Sequence, residues 1–170
     1  GFDTVVLDGR FDRLSYEVSG ADSGIIGRND DRLVFEGMEP VQFTQAAADF
    51  TYVGTLFADT INLHDIPDGA GPVQMEISGT GETVQFANPT GKLTISGGLG
   101  SDTIVVQSLD PAFAGDLNLY GNAGGAPPVV WDLGTDSVRF SGSINTHGGD
   151  LEAFADNINA DAAVTLSTQP

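Results

Sequence analysis

Short apolar runs recur about every ten residues along this chain, each closed by Gly, Asp, Asn or Pro. That punctuation leaves little room for a helix. The 23 glycines and 8 prolines are spread along the whole length, and both residue types disfavour helix interiors. The runs are rich in Val, Ile, Leu, Phe and Thr, which suit a pleated, half-buried surface. Clear cases are Thr4-Val5-Val6-Leu7, Leu33-Val34-Phe35, Thr60-Ile61-Asn62-Leu63, Val73-Gln74-Met75-Glu76-Ile77 and Thr83-Val84-Gln85-Phe86. Further cases are Lys92-Leu93-Thr94-Ile95, Thr103-Ile104-Val105-Val106, Asp116-Leu117-Asn118-Leu119-Tyr120 and Ser137-Val138-Arg139-Phe140. Several alternate apolar with polar, the period of a strand with one buried face. The one helical candidate, Gln45 to Asp49, is too short to stand alone and reads as a turn or a single helical turn. The expected class is all-β, and the spacing suits a sandwich, a barrel or a solenoid.

Internal repeats favour the solenoid. Gly1-Phe2-Asp3-Thr4-Val5, Phe57-Ala58-Asp59-Thr60-Ile61, Gly100-Ser101-Asp102-Thr103-Ile104 and Gly134-Thr135-Asp136-Ser137-Val138 share one form: Asp, then a hydroxyl residue, then a β-branched residue. An Asp there can accept backbone amides in the turn while the hydroxyl residue opens the strand. A longer echo relates Thr94-Ile95-Ser96-Gly97-Gly98-Leu99-Gly100 to Asn118-Leu119-Tyr120-Gly121-Asn122-Ala123-Gly124, at an offset of about 24 residues. These features predict a right-handed parallel β-helix (β-solenoid) with stacked Gly/Asp-rich turns. Residues 1–170 would form one segment of about seven or eight coils.

Charge narrows the partners. The chain has 24 acidic residues against 6 basic ones, a formal net charge of -18. Such a surface repels nucleic-acid phosphates and anionic lipid headgroups, and it attracts hard cations such as calcium. The same acidity also serves solubility alone. With no cysteine, thiol catalysis, cysteine–zinc sites and iron–sulfur clusters are excluded. No apolar run reaches the length of a membrane-spanning helix. Gly1 opens directly into a strand-like pattern, which reads as a segment excised from a longer repetitive protein.

The stretch from Gly79 to Leu166 is built of Gly79-Thr80-Gly81-Glu82-Thr83-Val84, Phe86-Ala87-Asn88-Pro89-Thr90-Gly91, Leu93 to Ile104, Gly148-Gly149-Asp150-Leu151 and Asp156-Asn157-Ile158-Asn159. It resembles the repeats of giant filamentous-haemagglutinin-like and calcium-repeat-like bacterial surface proteins. The resemblance implies parallel β-helix geometry, secretion to the bacterial cell surface, a structural or adhesive role, and no catalysis. Gly97-Gly98-Leu99-Gly100-Ser101-Asp102-Thr103-Ile104-Val105 matches the nonapeptide calcium repeat at its fixed positions. It would make Asp102 a calcium ligand. Asp59 keeps the equivalent place in the earlier turn, where Thr55 and Phe57 replace glycines. At the Gly121 turn the matching position is Ala126. A competing reading gives Asp102 to the turn itself, as a cap without metal.

No catalytic constellation stands out. Acidic pairs will occur by chance among so many carboxylates, so they do not mark a glycosidase. Lys92 opens a strand and reads as a solvated lysine. Arg10, Arg13, Arg28 and Arg32 interleave with Asp8, Asp12, Asp30 and Asp31, as surface ion pairs do. His64 and His147 lack metal-ligand spacing, and the loops holding Asp65 with Asp68-Gly69 and Asp30-Asp31 do not match a calcium loop. Trp131, Tyr120, Tyr16 and Tyr52 could stack on sugars or pack in the sheets. The expected function is a structural or adhesive module of a large secreted surface protein. The alternatives are a carbohydrate-binding or carbohydrate-active protein and a calcium-dependent folding module. Expected partners are neighbouring repeats of the same polypeptide, calcium and surface glycans. No cofactor is required, and calcium is the one candidate.

Overall fold

In the runs with period two, one set of side chains is sealed and the other faces out. Leu93 and Ile95 are buried while Lys92 and Thr94 are not, and Ile104 and Val106 alternate with Thr103 and Val105 in the same way. The computed structural model describes residues 4–7, 9–38, 40–67, 71–122 and 134–169. Among these, seventeen strands form and no helix does.

In chain order the strands are β1 (Val5–Leu7), β2 (Phe11–Gly20), β3 (Ser23–Arg28), β4 (Asp31–Glu36), β5 (Val41–Phe43), β6 (Ala47–Val53), β7 (Thr60–Asp65), β8 (Met75–Gly79) and β9 (Val84–Phe86). They continue as β10 (Lys92–Ser96), β11 (Thr103–Val106), β12 (Asp116–Tyr120), β13 (Ser137–Phe140), β14 (Ile144–Asn145), β15 (Leu151–Phe154), β16 (Asn157–Ala160) and β17 (Leu166–Ser167). An eight-stranded sheet runs β1-β5-β9-β8-β7-β11-β13-β16, and a seven-stranded sheet runs β15-β12-β10-β6-β2-β3-β4. A small third sheet pairs β14 with β17. The two large sheets share one core: Phe50 on β6 packs 5.5 Å from Phe43 on β5 and 4.7 Å from Phe86 on β9.

The chain is therefore all-β, but the expected right-handed parallel β-helix over residues 1–170 is overturned. Both large sheets are mixed. β2-β3-β4 is an antiparallel meander, and β8 runs antiparallel to both β7 and β9. Between β3 and β4 the cause is local turn chemistry. Asn29 takes φ 52 in a two-residue loop and reverses the chain between Arg28 and Asp31. Its Oδ1 also accepts the amides of Asp12 and Arg13, at 3.0 Å each, which locks the reversal. The repeat spacing is not uniform either, because paired turns lie 43, 34 and 20 residues apart. The Gln45–Asp49 turn is corrected as well: Ala47 to Asp49 belong to strand β6.

Other pairings follow the repeats. Thr94, Ile95 and Ser96 pair in parallel with Asn118, Leu119 and Tyr120, the register of the long echo. Thr103 pairs with Thr60 on one side and Ser137 on the other, so three of the four Asp-hydroxyl segments lie side by side. In the fourth, residues 1–3 fall outside the described residues, and Val5 pairs with Val41 instead.

Candidate functional site

The residues singled out for calcium, Asp59 and Asp102, are brought together. Each sits just before its strand, at the turn into β7 or β11. Asp102 is fully buried and its Oδ1 accepts the Asp59 amide at 2.8 Å. Asp136 in turn accepts the Asp102 amide at 3.0 Å, and Asp156 accepts the Asp136 amide at 2.9 Å. At the first rung Asp59 Oδ2 takes the Thr55 amide at 2.6 Å and the Thr55 hydroxyl at 2.9 Å. The result is a directional ladder in which each backbone amide donates to the carboxylate of the next layer. Such charge-assisted bonds are among the stronger hydrogen bonds available inside a protein.

Glycines make room for the ladder. A Cβ on Gly97 would lie 2.6 Å from Asp102 Oδ2, and one on Gly54 would lie 2.8 Å from Asp59 Oδ2. Four residues separate glycine from aspartate in both turns, and each glycine also lies against a backbone carbonyl of the next layer, so it admits both the carboxylate and the neighbouring chain. The hydrogen bond of Asp102 Oδ1 thus goes to an amide of the adjacent layer. Among the described residues, no three His, Asp or Glu side chains converge as a metal-ligand group.

The ladder borders a second buried polar group. Tyr16 and Tyr52 stack at 5.6 Å in the core. Burial pushes both phenol pKa values up, and the negative charge of Asp59 pushes Tyr52 further, as Tyr52 and Glu82 do Tyr16. The Tyr52 hydroxyl donates to the Thr80 carbonyl at 3.4 Å, while the Tyr16 hydroxyl has no hydrogen-bond partner among the described residues.

The remaining candidates scatter. Asp30 and Asp31 make surface ion pairs with Arg13 (3.5 Å) and Arg28 (3.7 Å). His64 contacts Glu76 at 3.3 Å, and His147 sits in a turn with φ 48. Tyr120 stacks on Phe154 at 5.7 Å and donates to Glu152 at 3.0 Å. Trp131, Ala126 and Asp68-Gly69 lie outside the described residues.

Lys92 is placed more tellingly. On the outer face of the seven-stranded sheet it stands in register between Asp49 and Asp116, and Asp49 is opposite Arg13. Four neighbouring strands thus present charges of alternating sign, which favours their pairing. One step along, Ser15, Thr51, Thr94 and Asn118 form a parallel row of hydroxyls and an amide. Two shallow grooves, of about 380 and 460 Å³, lie along these rows and meet at Lys92. The rows were partly legible: the 24-residue echo already aligns Thr94 with Asn118. The contributions of β2 and β6 were not, because Phe11–Gly20 and Ala47–Val53 were not read as strands.

Comparison with known proteins returned no match: no family model, no curated protein and no solved structure is similar to the chain.

Proposed function

We propose that this chain is a structural and adhesive module of a large secreted bacterial cell-surface protein, acting outside the cell. The outer face of its seven-stranded sheet would be the contact surface. The observation that supports this most is the pair of polar rows along the grooves, built on strands whose opposite faces are locked in the core. Side chains on rigid strands hold their spacing, and neighbouring strands repeat that spacing every ~4.8 Å. Alternating charges and hydroxyls at that interval suit a polyhydroxylated chain, which offers donors and acceptors in equal measure. Surface glycans are therefore the ligand class this face fits, and this favours the carbohydrate-binding reading within the adhesive one. The chain's net charge of -18 disfavours nucleic acid and anionic lipid as partners.

The test is a glycan array followed by NMR titration with the best binder. Expected are shifts confined to β2, β6, β10 and β12, and a loss of affinity of about tenfold in Lys92→Ala. No binder on the array, or shifts on another face, would overturn the proposal.

A further inference from the structure

Exposed apolar side chains are not scattered over this molecule. Among the described residues eight large ones are exposed, and six of them lie on edge strands: Val6 on β1, Leu33 and Val34 on β4, Phe154 on β15, Ile158 on β16 and Leu166 on β17. An edge strand already offers unpaired backbone donors and acceptors, and soluble proteins usually guard such edges with charge or cover. Here the edges carry exposed apolar side chains beside charged and polar ones, as Leu33 and Val34 stand beside Asp31 and Arg32 on β4.

The polarity of the edges adds a second constraint. β15, β12, β10, β6 and β2 all run parallel, and the two antiparallel steps from β2 to β3 to β4 cancel. β4 therefore points the same way as β15, at the opposite edge of the same sheet. The eight-stranded sheet obeys the same rule: two antiparallel steps around β8 cancel, so β1 points the same way as β16. Each sheet can thus be extended by a copy of itself in parallel pairing, head to tail.

The register gives a third. Ser15 aligns with Gly27 and Arg32 toward one edge, and with Thr51, Thr94, Asn118 and Glu152 toward the other. Carrying this ladder unshifted into a second molecule puts Glu152 opposite Arg32 of the next copy, a pair of opposite charge. Ala153 falls opposite Leu33. Phe154, 43% exposed, falls opposite Val34, 64% exposed. Arg32 makes no ion pair among the described residues of its own chain.

We infer that the occupant of these edges is a second copy of this chain, with β15 of one molecule pairing in parallel with β4 of the next. The contact is heterologous, so it leaves one open edge at each end and propagates. This inference does not rest on the glycan reading, since the pairing uses strand edges and not the outer face.

Sedimentation velocity from about 10 µM to about 1 mM tests it. The expected result is mass-action growth beyond the dimer, stronger at about 0.5 M salt, where the mutual repulsion of acidic copies is screened. Val34→Lys blocks one edge and Phe154→Lys the other, both at exposed positions. Each variant alone should be monomeric, and an equimolar mixture should form dimers only, through the two edges left intact. Glu152→Arg should weaken association about tenfold, and adding Arg32→Glu should restore it. A wild-type chain that stays monomeric throughout the range overturns the inference. So does a dimer that either lysine variant still forms alone, or dissociation by salt. Circular dichroism melts of each variant report folding separately, and the wild-type result decides even where a variant fails to fold.

Discussion

The hairpin region at β2–β4 and the parallel region from β10 onward hold their strands together by different means. In the meander, reversal is a local matter: Asn29 accepts two amides and takes the left-handed conformation that brings β4 back along β3. In the parallel region, paired turns lie 43, 34 or 20 residues apart, and Asp102, Asp136 and Asp156 tie one layer to the next. A local turn fails by itself. A rung of the ladder is shared, so its loss exposes the layers on both sides.

The largest expected effect is therefore in the ladder. Asp102→Ala removes the acceptor of a buried amide and should cost about 3 kcal/mol, read as a lower urea midpoint. Asp102→Asn keeps an acceptor oxygen and should cost clearly less. If alanine and asparagine behave alike, the ladder is not what joins the layers. Next comes the meander, where Asn29→Ala should cost about 1 kcal/mol and Asn29→Gly less, since glycine tolerates the positive φ. A loss at Asn29 as large as that at Asp102 would erase the contrast between the regions.

A pH effect sharpens it further. Tyr16 and Tyr52 have folded-state pKa values raised above the ordinary 10.0, so their contribution is intact below pH 10 and is lost as pH rises beyond it. Alkaline titration followed by tyrosine absorbance should show unfolding coupled to ionisation. Tyr16→Phe, which removes a hydroxyl without a partner among the described residues, should change stability at pH 7 by no more than about 0.5 kcal/mol and blunt the alkaline loss. The smallest effect belongs to the exposed pair of Arg139 and Asp161, bonded at 2.7 and 2.9 Å. Its hydrogen bonds hold the Asp161 pKa below the usual 3.8, so whatever stability it adds is present above that value and fades as pH falls through the lowered one. Arg139→Ala should leave the melting midpoint at pH 7 almost unmoved.

Much of the strand content was legible because burial imposes period two: Lys92 to Ile95 and Thr103 to Val106 could hardly be anything else. The parallel register of β10 with β12 was legible in the echo between Thr94 and Asn118. The meander was not, although its signal was present. Asn29-Asp30 sits between two apolar runs, the signature of a tight hairpin, yet it reads as part of an acidic cluster when charge is weighed before turn chemistry. Strand β6 was hidden by Ala46-Ala47-Ala48, whose helical preference yields to burial of Ala47 and Phe50 against the core. At the candidate site, spacing picked out Asp59 and Asp102 but could not show what their oxygens face. That depends on which amide the adjacent layer delivers, a non-local fact.

Amide hydrogen exchange, resolved by residue, tests the ladder most directly. The amides of Asp59, Asp102 and Asp136 should be among the slowest to exchange, and Asp102→Ala should release the Asp59 amide while leaving those of Asp12 and Arg13 at their wild-type rates. Fast exchange of the three aspartate amides in the unaltered chain, or no change at Asp59 in the variant, would contradict the account.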